Sequence, residues 1–256
     1  MSEPLLYLTG VSYSRSIEDE AERKEAMYRR MLSQLLALAL LVTILVLALS
    51  ACGGGGQEKA KARPLPLYET AKALRPGEYH SVKFKPPLSF KVGKGWWHVA
   101  AQLSDYIELG EGEIGLGHLH FANVKEVFKP GTTNVVEAPK DLVGWLQHHP
   151  YLKTSKPQPV TLGGVKGEQI DVLVDHLPKD PNGYCGDDCL DIFNLSIDDP
   201  GDQTGYFREG NNRRAIVLGD VKGDTVVIWF SAPPDEFAIF APKAQKVIDS
   251  VKWGRS

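Results

Sequence analysis

Short segments of alternating apolar and polar residues run from Leu74 nearly to the end of the chain, and this period of two constrains the fold most. Gly163-Gly164 and Lys222-Gly223-Asp224 separate such segments in the way that hairpin turns do. Because a strand with one buried face repeats every two residues, the pattern predicts an antiparallel sheet. The predicted strands span residues 78–84, 88–92, 96–101, 104–109, 114–121, 160–162, 167–174, 190–197, 215–221 and 225–231.

Two segments have the spacing of helices instead. Residues 138–148 carry an apolar stripe with Pro139 near the first turn, and Pro150 ends the pattern. Residues 235–247 carry a second stripe, and Pro242 inside it predicts a kink or a split. The fold class predicted from both patterns is α+β, with a twisted antiparallel sheet covered by helices.

A run of 15 residues, 35–49, contains a single polar side chain, that of Thr43. As a helix it would be about 22 Å long, whereas the hydrocarbon of a bilayer is roughly 30 Å thick. This length, with Arg29 and Arg30 in front, is typical of the hydrophobic core of a signal peptide. A membrane-spanning helix and a secretory signal without lipid are the alternatives.

The residues that follow, Leu49-Ser50-Ala51-Cys52, resemble the lipobox of bacterial lipoproteins. The resemblance implies cleavage before Cys52 and attachment of diacylglycerol to its thiol. Two or three acyl chains anchor a protein firmly to a membrane. We therefore expect the protein to be held at the extracytoplasmic face of the cell membrane through the lipid on Cys52.

The segment organisation follows from these features. Residues 1–26 are polar and precede Met27, so we predict either a disordered segment or a mis-assigned start of translation. Residues 27–51 are the predicted signal peptide, 52–66 a flexible tether rich in glycine and charge, and 67–256 one extracytoplasmic domain. With 29 Lys+Arg against 32 Asp+Glu, the chain lacks the basic excess that nucleic-acid binding requires.

The C-terminal pattern resembles a known fold family. A strand over residues 226–230, a helix carrying Phe237 and Phe240, and the ending Ile248-Asp249-Ser250-Val251 resemble the PsbP-like fold. The resemblance implies an αβα sandwich, an antiparallel sheet with helices on both sides. It also implies a protein that binds proteins or ions, since the members of that family are mostly not enzymes.

Cys185-Gly186-Asp187-Asp188-Cys189 contains the two cysteines of the predicted domain. Outside the cytoplasm such a pair is expected to oxidise, so we predict a small structural disulfide loop. A catalytic redox pair is the alternative, although such motifs usually have two intervening residues.

His118 and His120 share one face of a predicted strand, because side chains alternate along a strand. That pair could hold zinc or copper, with His98 or Glu113 as a further ligand. The alternative is that both histidines face solvent while Leu119 and Phe121 face the core.

Asp198, Asp199 and Asp202 form an acidic stretch whose carboxylates could bind calcium. The stretch lacks the regular alternation of an EF-hand loop, and Pro200-Gly201 within it already explains a turn.

The function predicted from the sequence is a non-catalytic, lipid-anchored binding or scaffold module of the bacterial cell envelope, without a resident cofactor. Its partners would be the membrane lipid and an envelope protein. The alternatives are an envelope hydrolase or a metal-binding protein with an unidentified active site. A cleft holding His118, His120 and a carboxylate would favour these alternatives, whereas a flat apolar patch would favour a protein partner.

Overall fold

The computed structural model describes residues 62–66, 71–99, 103–112, 117–179, 183–195 and 203–254. Within these residues the chain forms three β-sheets and two helices. No helix among them is long and apolar enough to cross a membrane. The predicted antiparallel character is confirmed, but the strands divide among three sheets rather than one.

The central sheet has nine strands, and all of its pairs are antiparallel. Its strands are β2 (Lys72–Ala73), β5 (Trp96–His98), β6 (Tyr106–Glu111), β7 (His118–Asn123), β10 (Leu152–Thr154), β11 (Gln158–Leu162), β12 (Val165–Val174), β15 (Asn212–Val221) and β16 (Asp224–Ala232). Their order is β10-β12-β15-β16-β7-β6-β5-β2, and β11 also pairs with β12.

Two four-stranded sheets flank the central sheet. The first side sheet has the order β1-β3-β4-β17, and the second has the order β14-β13-β8-β9. The strands of the first are β1 (Arg63–Pro64), β3 (Gly77–His80), β4 (Leu88–Val92) and β17 (Lys252–Trp253). The strands of the second are β8 (Glu126–Phe128), β9 (Val135–Glu137), β13 (Cys189–Asn194) and β14 (Thr204–Arg208).

Alternation along the central strands produces two separate cores. In β16, Ile228 and Phe230 pack with residues of the first side sheet. Their neighbours Val227 and Trp229 pack with residues of the second. Both faces of the central sheet are therefore buried, which is why β16 is apolar along most of its length.

The two helices, α1 (Leu142–Gln147) and α2 (Pro234–Ile248), contribute to different cores. Helix α1 is shorter than the predicted 138–148, because Asp141 caps it by accepting the Gly144 N–H at 2.8 Å. Helix α2 continues through Pro242, so the predicted split is wrong. The proline removes one helical hydrogen bond, but Phe240 and Ala244 on either side of it are buried in the same core.

The hairpin predictions are confirmed. Gly163 and Gly164 have φ of 55° and 86°, and they join β11 to β12. Lys222 and Gly223 have φ of 60° and 89° between β15 and β16. Two consecutive left-handed residues match the right-handed twist of the flanking strands.

The end of the predicted tether 52–66 is corrected. Arg63 and Pro64 form β1, which pairs in parallel with β3, and Leu65 is fully buried in the first core. Burial of Leu65 holds this part of the chain against the sheet, so the packed domain begins before residue 67.

Candidate functional site

A cleft of about 310 Å³ opens on the central sheet, on the face that is turned toward the second side sheet. Strands β6, β7, β15 and β16 form its floor, and β14 contributes one wall. The lining residues are Tyr106, Glu108, His118, His120, Thr204, Tyr206, Arg208, Asn211, Arg213, Trp229, Ser231 and Pro233.

A polar network occupies the end of the cleft formed by β6 and β7. Glu108 pairs in register with His120, and its carboxylate Oε1 lies 2.7 Å from Nδ1 of His118. The hydroxyl of Tyr106 lies 2.7 Å from Nδ1 of His120 and 3.2 Å from Oε2 of Glu108. Both oxygens of the carboxylate therefore have partners, which is what a largely buried carboxylate requires.

Aromatic rings form the middle of the floor. The His120 ring lies 4.5 Å from the Trp229 ring, with 13° between the planes. The Tyr106 ring is 5.9 Å from that of His120, and the His118 ring is 6.0 Å from it on the other side. These stacked rings fix the direction of each polar group in the network.

Burial and hydrogen bonding determine the charges of the network. Burial acts to raise the pKa of Glu108, but the His118 hydrogen bond and the nearby imidazoles outweigh it and lower the pKa to about 2. Burial lowers the pKa of His120 to about 3, and burial raises the pKa of Tyr106 well above its ordinary value. At neutral pH, Glu108 is therefore an anion, and His120 and Tyr106 are neutral.

Ser231 and Arg213 extend the cleft away from this network. Ser231 on β16 pairs in register with His118 on one side and with Arg213 of β15 on the other. The three side chains therefore point to the same face of the sheet. Arg213 is only 2% exposed and has its guanidinium carbon 4.0 Å from the centre of the Phe207 ring.

The structure separates the three predicted metal ligands. His118 and His120 lie together in the cleft, whereas His98 pairs with Leu109 and faces the first core. Because Leu109 and Glu108 are neighbours on one strand, His98 lies on the opposite face of the sheet from the cleft. His98 is fully buried, and burial lowers its pKa. In the described parts of the chain, no three His, Cys, Asp or Glu side chains are placed to hold a metal.

The predicted disulfide between Cys185 and Cys189 is confirmed, with 5.9 Å between the Cα atoms. Cys189 is the first residue of β13 and Cys185 precedes that strand, so the disulfide lies at the start of an interior strand of the second side sheet. The predicted calcium ligands Asp198, Asp199 and Asp202 and the predicted lipidation site Cys52 lie outside the described residues.

Patterns in the sequence do not single out the other ten lining residues of the cleft, among them Tyr106, Glu108, Arg213, Trp229 and Ser231. A signal for two of them exists, because Tyr106 and Glu108 repeat the spacing of His118 and His120 one strand earlier. Pairing those strands antiparallel brings the two sets together.

No protein-family model matches the chain, and no curated protein matches it. Among solved structures, it is similar to cyanobacterial PsbP (CyanoP) from Synechocystis sp. PCC 6803, with a TM-score of 0.35 and 11% identity. That match covers 79% of this chain and 97% of CyanoP. LpqN of Mycobacterium tuberculosis, a protein involved in cell envelope biogenesis, matches with a TM-score of 0.29 and 12% identity over 72% of this chain and 90% of LpqN. Because both TM-scores are below 0.5, the function of the cleft has to follow from its own residues.

Proposed function

We propose that this protein is a lipid-anchored, extracytoplasmic module that binds a small molecule in the cleft on its central sheet. The cleft itself carries the proposal, since polar side chains from five strands converge there over a floor of stacked aromatic rings. A volume of about 310 Å³ is at the lower end of the range for small-molecule sites. The anchoring part of the proposal rests on the resemblance of Leu49-Ser50-Ala51-Cys52 to a lipobox.

The two histidines of the network lie in a partly covered cleft and not on an open surface, which favours a role in binding a ligand. Leu119 and Phe121, the neighbours of the two histidines, are fully buried in the first core. The histidines therefore point to the other face, where the second side sheet covers them in part. The His118 side chain is 33% exposed, so its imidazole can donate a hydrogen bond to a ligand or accept one from it while Glu108 holds the orientation of the ring.

A ligand-observed NMR screen of a fragment library against the full chain in detergent tests this proposal. The substitution Thr204→Trp fills the cleft from its β14 wall, and Thr161→Trp adds the same ring to the exposed face of β11. Fragments that bind the wild type and Thr161→Trp but not Thr204→Trp are the expected result. A library in which no fragment distinguishes the wild type from Thr204→Trp would contradict the proposal.

One observation favours a hydrolase as the second candidate. Ser231 pairs in register with His118 on the neighbouring strand, and Nδ1 of that imidazole is hydrogen-bonded to Glu108. In such an enzyme the Ser231 hydroxyl would attack an ester carbonyl and transfer its proton to His118. The proton would then go to the leaving alcohol, and water would hydrolyse the acyl-serine.

A fluorophosphonate probe, which labels activated serines, separates the two candidates. Labelling of the wild type that is lost in both Ser231→Ala and His118→Ala would support the hydrolase. Ser250→Ala is the control, because Ser250 follows helix α2, away from the cleft. Absence of labelling leaves the binding module as the function.

A protein partner in the envelope, expected from the sequence, is a separate proposal. Crosslinking of the lipidated chain in intact cells, followed by mass spectrometry, tests it.

A further inference from the structure

Arg213 is a buried cation whose donors are not all used. It is 2% exposed, and its Nε and Nη1 atoms are buried without a hydrogen-bond partner. Buried polar groups in native proteins are nearly always hydrogen-bonded, and an exception calls for an explanation. A ligand that supplies the missing acceptors is one such explanation.

The surroundings of Arg213 hold it in place without neutralising it. Its guanidinium carbon lies 4.0 Å from the centre of the Phe207 ring, a contact that favours a cation over an aromatic face. Burial lowers the pKa of Arg213 to about 9, so the side chain is still charged at neutral pH. In the chain as described, no Asp or Glu forms an ion pair with it.

The other charged residues that line the cleft already have partners. Both oxygens of Glu108 contact His118 and Tyr106, and Arg208 forms an ion pair with Asp188. Glu108 and Arg213 are three strands apart on the sheet, roughly 14 Å at the usual strand spacing. The carboxylate is therefore too far away to neutralise the guanidinium. A cationic ligand would find the Glu108 carboxylate already hydrogen-bonded and the positive charge of Arg213 without an ion-pair partner.

We infer that the cleft takes a small molecule bearing an oxoanion, either phosphoryl or carboxylate, whose oxygens accept hydrogen bonds from Arg213. The remainder of the molecule lies toward Tyr206 and Ser231, both of which line the cleft beside the guanidinium. This inference rests on the proposed function and specifies the chemistry of its ligand. Arginine suits such a group because its planar donors match two oxygens at once.

Calorimetric titration of the full chain in a non-ionic detergent tests the inference with defined probes. Phenyl phosphate and benzoate supply a soluble oxoanion, and benzyl alcohol is the uncharged analogue. Dihexanoyl phosphatidylglycerol and dihexanoyl phosphatidylcholine both carry a phosphodiester in a lipid headgroup. A preference for the phenyl compounds identifies a soluble ligand, and a preference for either lipid identifies a headgroup.

The variant is Arg213→Met, and its matched control is Arg214→Met. Arg214 is the next residue on β15, points to the other face and pairs with Asp171 at 2.7 Å. We expect Arg213→Met to weaken binding of the preferred oxoanion by about tenfold or more, and Arg214→Met to change it little. Binding of benzyl alcohol is expected to be the same in all three proteins.

Three outcomes would overturn the inference: equal oxoanion affinity in the wild type and Arg213→Met, equal losses in both arginine variants, or no oxoanion binding to the wild type. Circular dichroism and the thermal transition of Arg213→Met are the checks that the variant is folded. Failure of this inference is distinguishable from failure of the proposed function. If benzyl alcohol or a fragment still binds and Thr204→Trp removes it, the cleft binds small molecules and only the oxoanion chemistry is wrong.

Discussion

Nδ1 of His118 and Oε1 of Glu108 lie 2.7 Å apart, although ten residues separate them in the sequence. The contact exists because β6 and β7 pair antiparallel, which places Glu108 opposite His120 and diagonal to His118. It gives the cleft a fixed carboxylate, and it makes the stability of the fold depend on the protonation of that group.

Glu108→Gln removes the charge and keeps the shape. Because its folded pKa of about 2 is below the ordinary 4.5, Glu108 stabilises the fold above pH 4.5, and this contribution is lost as the pH falls toward 2. We expect the variant to be less stable by about 1–3 kcal/mol at pH 7, with a smaller difference at pH 3. Urea unfolding at both pH values measures this. An equal difference at both, or an effect matched by the exposed control Glu168→Gln, would contradict it.

His149 makes a second pH prediction, with the same sign as that of Glu108 but in a higher pH range. Its ring is 4% exposed, and burial lowers its pKa to about 4 from the ordinary 6.5. The unfolded chain therefore binds a proton that the folded chain does not, and stability is lost as the pH falls from 6.5 toward 4. This shift corresponds to about 3 kcal/mol. Thermal unfolding is expected to vary less between pH 7 and 4.5 in His149→Phe than in the wild type. His176→Phe, at a largely exposed site, is the control and is expected to keep the wild-type slope.

Gly117→Ala tests the close approach of helix α2 to the central sheet. A Cβ atom at Gly117 would lie 2.5 Å from Cγ of Phe240, a ring that is 3% exposed. The ring must move within a packed core, so we expect a loss of about 1–3 kcal/mol in the free energy of unfolding. Gly219→Ala is the matched control, since a Cβ there meets nothing within 4 Å. Chemical denaturation of both variants decides the prediction, and equal stabilities would refute it.

The disulfide is expected to contribute through the unfolded chain. A loop from Cys185 to Cys189 is short, so the entropic model gives about 2 kcal/mol. The double variant Cys185→Ser, Cys189→Ser is therefore expected to unfold at a lower urea concentration. Titration of the unreduced wild type with a thiol reagent is expected to find neither cysteine free. Two free thiols in the folded protein would disprove the assignment.

Cys52→Ser tests the predicted lipid anchor. Metabolic labelling with a radioactive fatty acid is expected to mark the wild type and not the variant, because the hydroxyl of serine does not replace the thiol in the lipidation reaction. The variant is also expected to stay unprocessed. Cys185→Ser is the control that keeps the label. Unchanged processing and labelling of Cys52→Ser would remove the basis for the extracytoplasmic location.

Local patterns predicted much of the secondary structure. The strand at β7 was predicted from its alternation, and the turn at Gly163-Gly164 from its residue types. The division into three sheets could not be predicted in this way. Strand β16 pairs with β7 about a hundred residues earlier, and no local spacing specifies such a partner. Leu65, at the end of the predicted tether, was missed for the same reason: its burial depends on β3 and β4.

The candidate site was predicted in part. The spacing of His118 and His120 predicts that they share a face of one strand, and both line the cleft. His98, the predicted further ligand, lies on the other face of the sheet, because the register between strands decides which residues meet. Arg213 was missed because Asn212-Arg213-Arg214 is polar and is typical of an exposed segment.

Strand β16 belongs to both cores at once, and this limits how the protein can change. A shift of its register by one residue would turn Phe230 into the cleft and bury Ser231 beneath helix α2. Insertions or deletions of a single residue within residues 226–231 are thus barred, whereas substitutions at the cleft wall on β14 leave the cores intact. New ligand preferences in homologous chains would therefore arise first on β14.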